Sequence, residues 1–383
     1  MKKKHALKDI NTYLIALLLI VMGVSLYLTL SVPTPQAPAA PELLELRILV
    51  LGSDCTDCWN PQAALAFLAG QPSVNITSVE NKTIAESEEL AATYAVARYP
   101  AVLVLGETDN LTIDNFDKRQ DALVFDQAPA PYYDVATKKT RGQVTLTVLS
   151  APNCPDCFNL TQVLDQFKEN GIAVTSQKTV SSQSEEGKAL IAKYTIERLP
   201  TLIMSNDSLE YPLISDIWAE VGTVENDGKL VLRSVYPPYV NVTSGKTEGL
   251  VDLTLITDEK CTECYNASIL EELFAVGLNM KLRDAKTVDV TSARGKLLIK
   301  KYAIELVPTV VASSDANIYP VVAQVWNQIG TVEKDGALVA RNIAVIERAL
   351  GTPISYRNLT SGEIMVSSIP QEEAEISAPT VEE

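Results

Sequence analysis

Residues 144–159 read VTLTVLSAPNCPDCFN. The first six are apolar or β-branched throughout, which suits a buried strand. Ala151, Pro152 and Asn153 end that run, and a Cys-x-x-Cys pair, Cys154 and Cys157, follows at once. Beyond it, 159–170 spaces apolar residues for one helix face and stops at Gly171, the residue type that closes helices in the left-handed conformation. The same pattern occurs twice more. RILVLG at 47–52 leads to Cys55 and Cys58, and VDLTLIT at 251–257 leads to Cys261 and Cys264, with a helical stretch at 266–276 closed by Gly277.

Each copy continues alike. Second strands are expected at 74–79, 172–179 and 278–283, and second helices at 86–98, 184–198 and 291–306. Each second helix runs into a proline with an apolar stretch behind it: Pro100, Pro200 and Pro308, which lie 45, 46 and 47 residues after the first cysteine. Two copies then share a tryptophan, Trp218 or Trp326, followed by Gly-Thr-Val-Glu-x-Asp-Gly; Asp-Gly between alternating apolar residues signals a hairpin. The first copy lacks this signature and is expected to be shorter or diverged there. Joints recur as well: Pro131-Tyr132 and Pro238-Tyr239 each begin 23 residues before the next cysteine pair. A repeat of this length is one supersecondary unit used three times.

Strand, Cys-x-x-Cys, helix, strand, helix, and a proline leading a further strand resembles the thioredoxin superfamily. The local wording agrees: residues 192–201, AKYTIERLPT, resemble the thioredoxin segment approaching its cis-proline, and Lys301 to Thr309 repeats it. The resemblance implies an α/β protein of three tandem thioredoxin-like domains, each a central mixed sheet flanked by helices, at 43–128, 129–235 and 236–366. It implies that Cys55, Cys154 and Cys261 are exposed nucleophiles at helix starts, where unpaired N–H groups favour thiolate. Cys58, Cys157 and Cys264 would resolve the mixed disulfides from partly buried positions. It implies further that Pro100, Pro200 and Pro308 are cis and that the backbones of Tyr99, Leu199 and Val307 pair with an extended substrate strand. No cofactor and no metal are expected.

The chain departs from redox thioredoxins at several points. Asp54, Asn153 and Lys260 stand where they usually carry Trp, and the pairs enclose Thr56-Asp57, Pro155-Asp156 and Thr262-Glu263 instead of Gly-Pro. Leu49, Val148 and Leu255 occupy the place of the buried aspartate that relays protons. An acidic second spacer recurs in all three copies. A like charge a few ångströms from a thiolate costs about 1 kcal/mol in wet surroundings, so sluggish nucleophiles and stable disulfides are expected. An aromatic and an asparagine follow each pair (Trp59-Asn60, Phe158-Asn159, Tyr265-Asn266); packing and a helix's first turn account for them, and a grip on substrate is the alternative.

The only histidine is His5, so His-based triads and His metal sites are excluded from the rest of the chain. A formal net charge of −16 over 383 residues argues against nucleic acid. Residues 1–11 are basic, and the 20 residues 13–32 carry no charge; a run of about 20 matches the ~30 Å hydrocarbon layer. The expectation is a single-pass span at 12–32 with a cytoplasmic N-terminus, a cleaved signal peptide being the alternative; either exports the domains. Residues 33–42 read as a Pro/Ala-rich stalk and 367–383 as a disordered acidic tail. Sequons at Asn75, Asn81, Asn110, Asn159, Asn206, Asn241, Asn266 and Asn358 fit an exported glycoprotein. A glycan on Asn159 or Asn266 would obstruct its pair, so these two are expected to be bare.

Every cysteine lies in a motif pair, with none left for other bridges. Three chemistries stay open: thiol–disulfide exchange on exported cysteine-containing proteins, with an external or membrane-bound electron donor or acceptor and the lipid bilayer as further partners; a redox-silent scaffold or chaperone stapled by its disulfides; and thiolate metal binding, which needs two domains face to face.

Overall fold

In the computed structural model residues 17–23, 25, 43–109 and 111–367 are described. Leu46, Ile48 and Leu51 of the strand Leu44–Leu51 are fully buried, as its apolar composition requires. This strand pairs parallel with Val74–Lys82 and antiparallel with Ala101–Gly106. Ala122–Phe125 adds antiparallel to the latter, and Asp117–Arg119 closes the edge. The same five-strand order is built twice more, around Val144–Ser150 and around Val251–Thr257. A mixed sheet with its cysteine-leading strand next to one edge is the thioredoxin-like arrangement, so the chain is an α/β protein with three such sheets. It divides into two units: one holds Asn60–Gln127 and the described residues up to Cys55, the other Thr56–Trp59 and everything described from Ala128 on.

In the second unit both faces of each sheet are covered. Leu146, Leu202 and Met204 face Leu164 and Phe167 of the helix Thr161–Glu169, together with Trp218. Leu149, Ile203 and Val231 face Tyr194, Ile196 and Leu199. Around Val251–Thr257 the same division recurs, with Phe274 and Trp326 on one face and Tyr302 and Val307 on the other. Fully burying one such side chain contributes roughly 1.5–3 kcal/mol.

The second helices are Ile84–Tyr94, Glu185–Tyr194 and Ala293–Tyr302. Thr83, Ser184 and Ser292 cap them by accepting from the backbone N–H three residues on. Each ends several residues sooner than its sequence pattern implies. Ala95, Thr195 and Ala303 turn left-handed (φ 50°, 49° and 48°), and the freed residues become two-residue strands: Arg98–Tyr99, Arg198–Leu199 and Leu306–Val307. These strands lie directly ahead of the prolines.

The first copy does form the hairpin that its sequence lacks. Asp117–Arg119 and Ala122–Phe125 pair around Gln120, which takes the left-handed turn position at φ 53°. Asp121 does there what the Asp-Gly aspartates do elsewhere: Tyr94 donates its hydroxyl to it at 2.9 Å, as Tyr194 does to Asp227 at 2.9 Å and Tyr302 to Asp335 at 3.0 Å. The first copy thus has the polar anchor without the glycine and tryptophan of the other two.

Among the described residues no helix is long and apolar enough to cross a membrane. Of the expected span 12–32 only residues 17–23 and 25 are described, as helix; the basic segment 1–11, the stalk 33–42, Asn110 and residues 368–383 lie outside the described residues.

Lys193 and Lys301, each 2.6 Å from its aspartate, hold Asp227 and Asp335 down to about 2. An unfolded aspartate titrates near about 3.9, so both pairs stabilise the fold above about pH 4 and lose that contribution as pH falls toward about 2. Both carboxylates are exposed, so the effect is modest. Urea midpoints are expected to fall between these pH values, and Asp227→Asn with Asp335→Asn to flatten the slope; an unchanged slope would contradict the assignment.

Candidate active site

The cysteines lie in turns. Cys154 N–H donates to Ala151 O at 3.0 Å and Cys157 N–H to Cys154 O at 3.3 Å; Cys261 and Cys264 donate likewise to Asp258 O and Cys261 O at 2.9 and 3.3 Å. These turns set the Cα atoms 5.3 and 5.4 Å apart, within the range a disulfide spans, and Cys154–Cys157 and Cys261–Cys264 are bonded. Cys55 and Cys58 are disulfide-bonded as well and half-buried.

Two expectations for the cysteines are corrected. First, they do not sit at helix starts. The helices begin at Gln62, Thr161 and Ser268, four residues past the second cysteine. The asparagines take the terminal role instead: Asn60, Asn159 and Asn266 accept from the N–H groups of Gln62, Thr161 and Ser268 at 3.0, 2.9 and 3.0 Å. A helix end acts within about its first turn, so its support for a thiolate is weakened here. Second, Cys154 and Cys261 are not exposed. They are 8% and 7% accessible, whereas Cys157 and Cys264 are half-buried.

Hairpins account for the burial. The joint at Pro238-Tyr239 opens into a strand, Tyr239–Asn241, that returns through Thr247–Glu248. Tyr239–Asn241 pairs antiparallel with Arg198–Leu199, Leu199 facing Val240. Phe158 N–H donates to Pro238 O at 2.8 Å, Val242 N–H donates to Glu197 O at 2.8 Å, and Thr247 Oγ1 donates to Cys154 Sγ at 3.6 Å. Repeat three has the same device at Ser355–Asn358 and Ile364–Val366: Val307 faces Arg357, Tyr265 N–H donates to Ser355 O at 2.9 Å, and Leu359 N–H donates to Glu305 O at 2.7 Å. Strands 132–134 and 139–141 form the corresponding hairpin after the first joint, and Trp59 N–H donates to Pro131 O at 2.7 Å.

Pro100, Pro200 and Pro308 are cis and buried, as are Tyr99, Leu199 and Val307. Cys154, Cys157 and Pro200 meet in one cavity of about 400 Å³, which Pro155, Phe158 and Gln177 also line. In repeat three Tyr265 donates its hydroxyl to Pro308 O at 2.6 Å, and burial pushes its ionisation well up. That aromatic therefore packs against the core and ties the turn after the disulfide to the proline.

The acidic spacers are exposed, and two have partners from the next repeat. Lys281 Nζ lies 3.1 Å from Asp156 Oδ1, and Gln143 Nε2 donates to Asp57 Oδ2 at 3.2 Å. Sequence reading missed Asp258, which is buried three residues before Cys261, where the other copies have Gly52 and Ala151. Arg357 on the hairpin places its Nε 3.1 Å from Asp258 Oδ2, off the line of a hydrogen bond, so the contact is ionic. An acid at that spacing in one copy of three was the available signal.

No family model matches the chain. Among solved structures it is similar to ERdj5 form II (13% identity, TM-score 0.15), covering 81% of this chain and 39% of that one. It is similar to full-length ERdj5 (11%, 0.15), covering 73% and 42%, and to human ERp44 form I (12%, 0.13), covering 74% and 77%. The chain thus spans about two fifths of the length of ERdj5. What identifies the fold is the strand order and the proline geometry of each repeat. Among the described residues no three His, Cys, Asp or Glu side chains gather as a metal site.

Breaking a buried ion pair leaves one charge unpartnered, at a cost of about 3 kcal/mol. Arg357→Ala is expected to destabilise repeat three by about that much in denaturant titration, and Arg357→Lys by less. A loss under about 0.5 kcal/mol would show that the pair is no more than a surface contact.

Proposed function

We propose that the chain is a thiol–disulfide exchange protein of the extracytoplasmic face, held at the membrane by residues 12–32 and acting on exported cysteine-containing proteins. The observation that supports this most is the one cavity that Cys154, Cys157 and the cis-proline Pro200 line together. A substrate thiolate attacks Cys154 Sγ, the Cys154–Cys157 bond breaks, and Cys157 leaves as thiolate. A second substrate thiolate then attacks the substrate sulfur of the mixed disulfide and releases Cys154. The substrate loses two electrons and forms a disulfide while the pair becomes a dithiol. Reoxidation needs an external or membrane-bound electron acceptor, and a donor at that place would drive the sequence backward.

One observation favours the other reading, a scaffold stapled by inert disulfides: Cys154 and Cys261 are buried. A thiol-trapping redox titration of the full chain in detergent, read pair by pair by mass spectrometry, separates the two. Exchange is expected within minutes at potentials between about −120 and −270 mV. Pairs that stay closed below about −300 mV and react slowly with small thiols would make them staples.

A further inference from the structure

The hairpin after each of repeats two and three lies along the two-residue strand ahead of the cis-proline. In repeat two the segment 238–242 reaches from Phe158, just past the disulfide, to Glu197, and holds main-chain bonds at both ends. Between them it pairs with Arg198–Leu199. Val240 and Val242 rest on the core beside Leu199, and Arg198 stacks over the Tyr239 ring at 4.8 Å. An extended peptide delivered to Cys154 would need these same backbone groups, because a short edge strand offers one row of donors and acceptors.

We propose that the hairpin 239–248 is a built-in pseudosubstrate: it fills the strand site of repeat two and sets Thr247 where a substrate cysteine meets Cys154. This rests on the exchange reading of that site. The hairpin is tied to the following repeat, since Tyr319 donates to Gly249 O at 2.6 Å and Gly249 N–H donates to Asp315 Oδ1 at 3.1 Å. Gly249 cannot be replaced there, because a Cβ would lie 2.6 Å from Pro237 Cβ at a φ of +89°. Release of the hairpin therefore carries repeat three with it and parts Lys281 from Asp156. The substrate class follows: an extended segment that pairs antiparallel with Arg198–Leu199, places a β-branched residue opposite Leu199, and carries its cysteine on the side of the Thr247 hydroxyl.

Two measurements on the full chain test this. In a Thr247→Cys, Cys157→Ser variant treated with oxidised glutathione, the Cys154 thiolate attacks one glutathione sulfur and releases a thiolate. The sulfur introduced at 247 then displaces the bound glutathione, leaving a 154–247 disulfide and two glutathione thiols. Mass spectrometry is expected to find this bond as the main product; a persistent glutathione adduct would overturn the placement. Separately, Val240→Asp with Val242→Pro loosens the hairpin. Reduction of Cys154–Cys157 by an extended cysteine peptide is expected to quicken at least about tenfold, the factor by which a strand site open less than a tenth of the time is masked. Reduction by a small phosphine should change less than about threefold over the same comparison. If the native chain already reacts with the peptide as fast as the variant, or if both reductants gain alike, exchange stands and the pseudosubstrate falls. If the 154–247 bond forms but no variant reacts with the peptide, the exchange reading fails and takes the proposal with it.

Discussion

The structure turns on a few main-chain hydrogen bonds beside the cis-prolines Pro200 and Pro308. Backbone donors and acceptors near a buried disulfide must be paired, and a two-residue strand such as Arg198–Leu199 or Leu306–Val307 cannot belong to the main sheet, because the proline turns the chain away from it. The chain supplies the partner itself. Tyr239–Asn241 and Ser355–Asn358 complete these edges, and in doing so they roof over the sulfur that the resemblance expects to be open. One constraint thus explains the burial of Cys154 and Cys261 and the purpose of the joints.

The same constraint orders the electrostatics. Acidic spacers beside cysteines weaken thiolates, yet Asp156 meets Lys281 and Asp57 meets Gln143, each from the repeat that follows. In repeat three the cation comes from the hairpin, where Arg357 reaches the buried Asp258. In repeat three the polar contact beside the disulfide is also one that holds the cover down. Tuning and closure are therefore linked, and loosening one disturbs the other.

The triple repeat, the cysteine pairs and the prolines were legible because each rests on a residue that chemistry leaves little choice about. Cysteine pairs at one spacing and Asp-Gly turns read the same in any context. The left-handed helix ends at Ala95, Thr195 and Ala303 were not legible, since no glycine marks them and the helical pattern runs straight through. The first copy's hairpin was hidden for the same reason, with Gln120 where glycine was sought. The covering hairpins escaped notice because their strands are two to four residues long, too short to show an alternating pattern. Their role appears only when Val240 is seen opposite Leu199, which is a fact of tertiary pairing and not of local pattern.

The central claim is that the strand sites beside the disulfides of repeats two and three are occupied by the chain's own hairpins, and amide hydrogen exchange of the oxidised full chain tests it most directly. Phe158, Val242, Tyr265 and Leu359 donate to or from the hairpins. Their amides are expected to exchange as slowly as those of the central strand Val144–Ser150, because both open only with sub-global unfolding. Exchange at the rate of exposed turns would mean that the hairpins stand open, and the account of closed sites would be contradicted.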